Sequence, residues 1–332
     1  MRQDDAGTDV DALRLDAVSV AYLTQHGPAI AVNSASLVVR AGSSLGIVGE
    51  SGCGKTTLGL ALLRLLPETA RVDGRVELVG RDLYALTEHE LHRVRWSQIS
   101  HVPQNAMAAF NPLIRIGKQI ASAILLHDPE VTSRSAMARA AGLLTSVGIS
   151  SDRITAYPHE LSGGMKQRAA IALALACHPA VVLADEPTTA LDVVAQATVL
   201  QLLRARVMAA GAALVLISHD LGVVSEVCEQ VAVMYAGRVV ERGAMSDVMD
   251  QPRHPYTRAL VGAYPSLTGP RQTLEGIPGS PPAPESTSRN WCEFAPRCPL
   301  AQQICWERAP EDVGFDNGQM ARCHFAAETV GG

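Results

Sequence analysis

The sequence predicts an α/β protein with a buried parallel sheet, and three observations carry that expectation. Short apolar runs at residues 44–48, 180–184 and 213–217 read as strands covered on both faces. Between them lie segments with the 3.6-residue apolar period of helices, the alternation from which parallel sheets are built. The 332 residues are 47% hydrophobic and 18% charged. That composition excludes disordered and low-complexity chains and has room for one large domain plus an extension.

Taken in order, runs at 13–22 and 31–40 are rich in β-formers and flank Gly27-Pro28, which predicts an antiparallel start. The strand 44–48 runs into a glycine-rich turn and then an apolar helix over 56–66, stopped by Pro67. A β-pair is expected around 71–79. Residues 88–96, 112–127 and 133–147 have helical period, so the middle of the chain is mostly helix. A turn-rich stretch at 156–164 opens a helix to Cys177, and a long helix follows Asp192. Two β-runs over 230–242 meet at Ala236-Gly237. From Gly269 the chain turns rich in proline and glycine, including Ile277-Pro-Gly-Ser-Pro-Pro-Ala-Pro284, and reads as a linker.

Charge narrows the function. Lys and Arg total 28 against 33 Asp and Glu, a net charge of -5, so no electrostatic footprint for nucleic acid is present. Only Lys55, Lys118 and Lys166 are lysines. No apolar run is long enough to span a bilayer, and the acidic start Met-Arg-Gln-Asp-Asp is unlike a signal peptide; a cytoplasmic location is expected. Cys53, Cys177 and Cys228 are scattered, whereas Cys292, Cys298, Cys305 and Cys323 crowd near the end. In a reducing compartment that cluster suggests metal rather than disulfides.

Gly49-Glu-Ser51-Gly52-Cys53-Gly54-Lys55-Thr56 fits G-x-x-x-x-G-K-[ST] between a strand and a helix. Its glycines let backbone N–H groups close on phosphates, Lys55 reaches the β- and γ-phosphates, and Thr56 can ligate Mg²⁺. Cys53 in that loop is either a thiol activated by nearby positive charge or a small residue that fits. Residues 181–186 are an apolar strand ending in Asp185 and Glu186. Two adjacent carboxylates at a strand end suit a Mg²⁺ ligand, Asp185, and a general base, Glu186, while a helix-capping pair is the plainer reading. Leu161-Ser162-Gly163-Gly164-Met165-Lys-Gln-Arg168 opens a helix with a serine and two glycines, a second anion-binding helix start.

These motifs, in order and spacing over nearly all of residues 13–263, resemble those of the ATP-binding-cassette (ABC) ATPases. The resemblance implies a P-loop NTPase core, with a mixed sheet and an antiparallel β subdomain, plus an α-helical subdomain and a small Cys-rich C-terminal extension. It implies an ATPase using ATP and Mg²⁺, with Thr57 beside Thr56 at the phosphate loop and Mg²⁺ ligated by Thr56, Gln104 and Asp185. Gln104 in His-Val-Pro-Gln resembles the Q-loop glutamine, Ala190-Leu191-Asp192 the D-loop, and His219 the switch histidine. Tyr22 stands where the family stacks an aromatic ring on adenine, although strand packing would also explain it. Ser162, Gly163 and Gly164 would meet the ATP of a second ATPase subunit across a dimer interface. Met165 departs from the family's usual glutamine, which removes one polar contact.

His254-Pro-Tyr-Thr-Arg-Ala-Leu260 and Ile277-Pro-Gly-Ser-Pro281 resemble the C-terminal extension of oligopeptide/dipeptide importer ATPases. Cys292-Glu-Phe294, Arg297-Cys298-Pro299, Cys305 and Cys323-His324 are similar to members of that branch with a [4Fe–4S] cluster. Spacing alone leaves a Cys₄ zinc site open. The branch implies import of short peptides, with two transmembrane permeases, a second ATPase that is a different chain and an extracytoplasmic binding protein. It also implies a peripheral place on the cytoplasmic face of the membrane; a nickel chelate or sugar remains open as cargo. A soluble cassette ATPase of DNA repair or translation fits less well. The expected division is 1–95 and 161–263 for the ATP-binding core, 96–160 for the helical subdomain and 264–332 for the extension. Met107, Phe110 and Leu113 are candidates for a permease-contact groove, with internal packing as the alternative.

Overall fold

The computed structural model describes residues 11–25, 27–188, 192–263, 277–282 and 290–328. Strands β1 (Asp11–Thr24), β2 (Gly27–Arg40) and β3 (Ser44–Val48) precede helix α1 (Lys55–Leu62). Strands β4 (Ala70–Leu78) and β5 (Arg81–Asp82) lead to α2 (Glu88–Val94) and β6 (Ile99–Val102). Then come α3 (Ile116–His127), α4 (Ser133–Ser146), α5 (Gly163–Ala174), β7 (Val181–Asp185), α6 (Val193–Ala209), β8 (Ala213–Ser218) and α7 (Leu221–Ser225). The chain continues through β9 (Gln230–Tyr235), β10 (Arg238–Ala244), α8 (Met245–Asp250), α9 (Pro255–Gly262), α10 (Gln303–Glu307), β11 (Val313–Gly314) and β12 (Met320–Ala321).

The chain divides into two compact units. The first holds, among the described residues, 11–14, 38–44, 76–188 and 192–215. Its strands β6 and β7 run parallel, Ile99 opposite Val181 and Val102 opposite Ala184. Every residue of β7 is buried, as a parallel strand covered on both faces requires. Helices α3 and α4 pack on each other, and α4 also packs on α5. Ile116, Ile120 and Ile124 are among the buried positions of α3, and Ala136, Ala140 and Leu144 are those of α4, each set spaced by four residues along one helix face. Thr132 caps α4 by accepting from the Ser135 N–H, and Thr87 with Glu90 forms a capping box at α2.

The second unit holds residues 15–25, 27–37, 45–75, 216–263, 277–282 and 290–328. Its neighbouring strands run β11, β12, β10, β9, β3. β3 and β9 are parallel, Leu45 opposite Gln230, while β9, β10, β12 and β11 pair antiparallel, so the arrangement is mixed. The β9–β10 turn is made by Ala236 (φ 48) and Gly237 (φ 84), the two positive φ values that a tight hairpin needs. Strand β12 joins β10 with Glu241 opposite Ala321.

Three expectations need correction. The helix after the glycine-rich turn stops at Leu62 rather than at residue 66, because Arg64 takes a left-handed φ of 50 and reverses the chain. The segment at 112–127 becomes helical only at Ile116; before it, the Gln119 side chain ties the Asn111 N–H and carbonyl and the Ile114 carbonyl into a turn. Within the proline-rich stretch, Ile277 and Pro278 are not a loose tether, since both carbonyls accept from Arg297. Among the described residues no helix is long and apolar enough to cross a membrane.

Candidate functional site

In the second unit, β3 ends at Val48 and the chain turns through residues 49–54 into α1. Gly52 (φ 82) and Gly54 (φ 103) occupy left-handed backbone. A Cβ at Gly54 would collide with the Ala31 carbonyl oxygen, and one at Gly49 with the Met234 carbonyl oxygen. The loop therefore closes only on glycine. Helix α1 starts at Gly54 without a side-chain cap, the kind of helix start that suits an anion. Lys55 is buried and donates to the Gly49 carbonyl at 2.7 Å and the Glu50 carbonyl at 3.0 Å. Ser51, Gly52 and Thr56 are exposed. Tyr22 Oη lies 3.3 Å from Thr57 Oγ1, so the strand residue meets the start of the helix. His219 follows β8 on an exposed bend, and Asp220 next to it caps α7 by accepting from the Gly222 and Val223 N–H groups.

Cys53 is not an activated thiol. It is 2% exposed, and that burial pushes its pKa up despite Lys55 Nζ at 3.8 Å from its sulfur. The plainer reading, a small residue that fits, holds.

The first unit carries the acid pair. Asp185 closes buried β7, and Glu186 follows in left-handed backbone (φ 42), a conformation that costs a non-glycine residue energy and is found at functional sites. Gln104 Nε2 donates to Glu186 Oε2 at 3.1 Å, joining two of the residues singled out from the sequence. Ala190-Leu191 lies outside the described residues. Asp192 is exposed and is the cap of α6, accepting from the Ala195 N–H at 3.0 Å. Ser162 caps α5 by accepting from the Met165 N–H. Ser162 and Gly163 are exposed, and a Cβ at Gly164 would meet nothing within 4 Å. Of the groove candidates, Phe110 is buried and belongs to the interior, whereas Leu113 is 83% exposed.

Cys292, Cys298, Cys305 and Cys323 line one small cavity together with Phe294, Ala295, Leu300 and Phe325. Burial pushes Cys292 up to about 12 and Cys323 to about 11, so these two thiols, when bare, are protonated at neutral pH. Among the described residues no group of three or more His, Cys, Asp or Glu side chains is placed to hold a metal ion. Cys228 is buried and Cys177 half-buried, its sulfur against the Ala123 carbonyl, as core residues.

A glycine-built phosphate loop before a helix, and an apolar strand ending in an acid pair, are each marks of an ATP-hydrolysing P-loop protein. Residues 32–189 match the model of the ABC transporter family and residues 240–305 that of the oligopeptide/dipeptide transporter C-terminal region. A probable peptide ABC transporter ATP-binding protein of Sinorhizobium fredii is 44% identical over 90% of each chain. The oligopeptide transport ATP-binding protein OppD of Escherichia coli is 41% identical over 99% of this chain and 96% of its own. The dipeptide transport protein DppD of the same organism is 39% identical over 96% of this chain and 98% of its own. A dimeric ATP-binding cassette solved in a post-hydrolysis state with ADP and phosphate superposes with a TM-score of 0.63 at 26% identity, covering 70% of this chain and 98% of that one. The chain belongs to the ABC transporter ATP-binding proteins of the oligopeptide/dipeptide type.

Sequence reasoning missed three residues around the phosphate loop. The Glu50 N–H donates to Tyr256 Oη at 2.9 Å, and the Glu50 carboxylate pairs with Arg297. Tyr256 and Arg297 sit inside the C-terminal motifs, yet nothing in a linear sequence connects either to residue 50.

Proposed function

We propose that this chain is the ATPase subunit of an importer for short peptides. The observation that carries this reading is identity of 39 to 44% over nearly the whole chain with proteins named for oligopeptide and dipeptide transport, extension included. In this reading Lys55 and the amides of residues 49–57 hold the ATP phosphates, with Tyr22 against the adenine. Thr56, Gln104 and Asp185 are the Mg²⁺ ligands. Glu186 accepts the proton of the attacking water, positioned by Gln104, and His219 contacts the γ-phosphate. Ser162, Gly163, Gly164 and Asp192 serve a second ATPase subunit. The working division keeps 1–95 and 161–263 as the ATP-binding core, 96–160 as the helical subdomain and 264–332 as the extension.

The partners are two transmembrane permeases, a second ATPase that is a different chain, and an extracytoplasmic binding protein, with this subunit peripheral on the cytoplasmic face. Affinity capture from detergent-solubilised membranes tests it. Recovery of two permeases and a second cassette ATPase, with ATP hydrolysis stimulated by a peptide-loaded binding protein, is the expected result. Stimulation by a nickel chelate or sugar instead would reassign the cargo, and recovery with ribosomes or DNA factors would remove the importer reading.

The same branch points to a [4Fe–4S] cluster on Cys292, Cys298, Cys305 and Cys323. Four thiols around one largely apolar cavity suit it in donor chemistry. Among the described residues no group of three or more ligating side chains is placed to hold a metal ion, so the geometry favours neither the cluster nor a zinc site, and the assignment rests on the resemblance of the cysteine motif. When bound, the cluster supplies iron–thiolate bonds that staple a segment with little core of its own. Iron and acid-labile sulfide in equal amounts, with both lost in Cys298→Ser, are expected; zinc or no metal in the purified protein would end the cluster assignment.

A further inference from the structure

Glu50 places a carboxylate inside a loop whose task is to hold an anion. Unpaired, it would repel the phosphates that Lys55 and α1 attract. Arg297 supplies the counter-charge: Nη1 donates to Glu50 Oε2 at 2.7 Å and Nη2 to Oε1 at 2.9 Å, a two-pronged pair. The guanidinium's other N–H groups are used as well, Nε on the Pro278 carbonyl at 2.7 Å, Nη1 on Tyr235 Oη at 3.3 Å and Nη2 on the Ile277 carbonyl at 3.2 Å. All five donors thus have acceptors, and the side chain is only 5% exposed. This is a fixed group, unlike a surface ion pair.

The backbone of the same residue is held from another side by Tyr256. Tyr256 packs on Tyr235 and Phe294 with ring centroids 4.7 and 5.5 Å apart. Phe294 follows Cys292 by two residues, and Arg297 ends the short 3-10 turn Ala295–Arg297 that lies between Cys292 and Cys298. The cysteine-bearing segment therefore grips the side chain of a phosphate-loop residue through Arg297 and packs, through Phe294, on the tyrosine that holds its backbone.

We propose that Arg297 is a positioning residue for ATP binding. By neutralising and orienting Glu50 it keeps the phosphate loop in the form that accepts a triphosphate, and it ties ATP affinity to the packing of the extension. The proposal rests on the ATPase reading but is independent of whether the four cysteines hold a cluster.

Equilibrium binding of ATP to the full-length chain tests it. Arg297→Gln leaves the Glu50 carboxylate uncompensated and is expected to weaken ATP binding about tenfold. Adding Glu50→Gln to that variant removes the uncompensated charge and is expected to restore affinity to within about threefold of wild type. A merely structural role for Arg297 would give no such rescue. Unchanged affinity in Arg297→Gln, or a double variant as weak as the single one, overturns the proposal. If Arg297→Gln fails to fold, a double variant that folds and binds ATP within the same limit supports the coupling, and failure of both overturns it. Absence of ATP binding in the wild-type chain would sink the ATPase reading instead.

Discussion

Helix α1 starts from glycines that the chain itself demands, whereas helix α5 starts from a glycine, Gly164, that no neighbour in the chain requires. At Gly49 and Gly54 a side chain would strike backbone carbonyls of Met234 and Ala31, and Gly54 has left-handed backbone. At Gly164 there is open space. The first helix start is also braced, with Lys55 on two loop carbonyls and Glu50 held by Tyr256 and Arg297. The second has a serine cap and exposed residues at its tip. One helix start is thus preorganised by its own chain, while the other leaves an exposed tip with room around its glycine. The same contrast separates two acids of the first unit: Glu186 is held in strained backbone against Gln104, and Asp192 does an ordinary capping task.

The sharpest way to test the contrast is at the acid assigned to chemistry. Glu186→Gln is expected to cut ATP turnover by about 10²-fold or more while ATP stays bound; phosphate release and retained nucleotide are the measurements, and normal turnover would remove Glu186 from the base role. Next in size is Gly54→Ala. The collision with Ala31 and the left-handed backbone should cost about 2 kcal/mol or more of stability and abolish measurable ATP binding. A stable variant with normal affinity would show that the loop is not as tightly specified as its geometry implies.

Gly164→Ala inverts that pattern. With room for the methyl group, the helix should gain about 0.5–1 kcal/mol, yet turnover in the assembled transporter should fall about tenfold, a barrier change of about 1.4 kcal/mol. Equal activity would mean that nothing approaches the α5 tip. The smallest effect belongs to Asp192→Ala, which removes the α6 cap and should cost about 1 kcal/mol in thermal or denaturant unfolding. A much larger loss of turnover than of stability would show that Asp192 has an interface role beyond capping.

How far the sequence could be read follows the same division. The glycines at 49, 52 and 54 announced the phosphate loop because the strand before it and the helix after it are both local. The buried strand ending in Asp185 was legible for the same reason, its apolar run having no other use. By contrast, Leu-Leu-Arg64-Leu-Leu66 looks like continuing helix, and only the positive φ at Arg64 shows the reversal. Phe110 reads equally as a contact residue or as internal packing from its place after Gln104, and its burial decides for packing, because burial is not legible from position in the chain. Arg297 was visible as part of Arg-Cys-Pro, but its partner lies in a loop near the other end of the sequence. A pair of that kind becomes readable only when the fold brings it together.

Strand β12 carries a consequence for how the protein meets other chains. It covers the free side of β10, and beyond it only the two-residue β11 faces outward, a short edge that resists pairing with other chains. Gln319, beside it, donates to buried Glu241 at 2.6 Å. Proteolytic clipping before Gln319 would therefore do more than trim a tail. It would bare the backbone of β10 and strip a donor from an interior carboxylate, turning a well-behaved subunit into a template for aggregation.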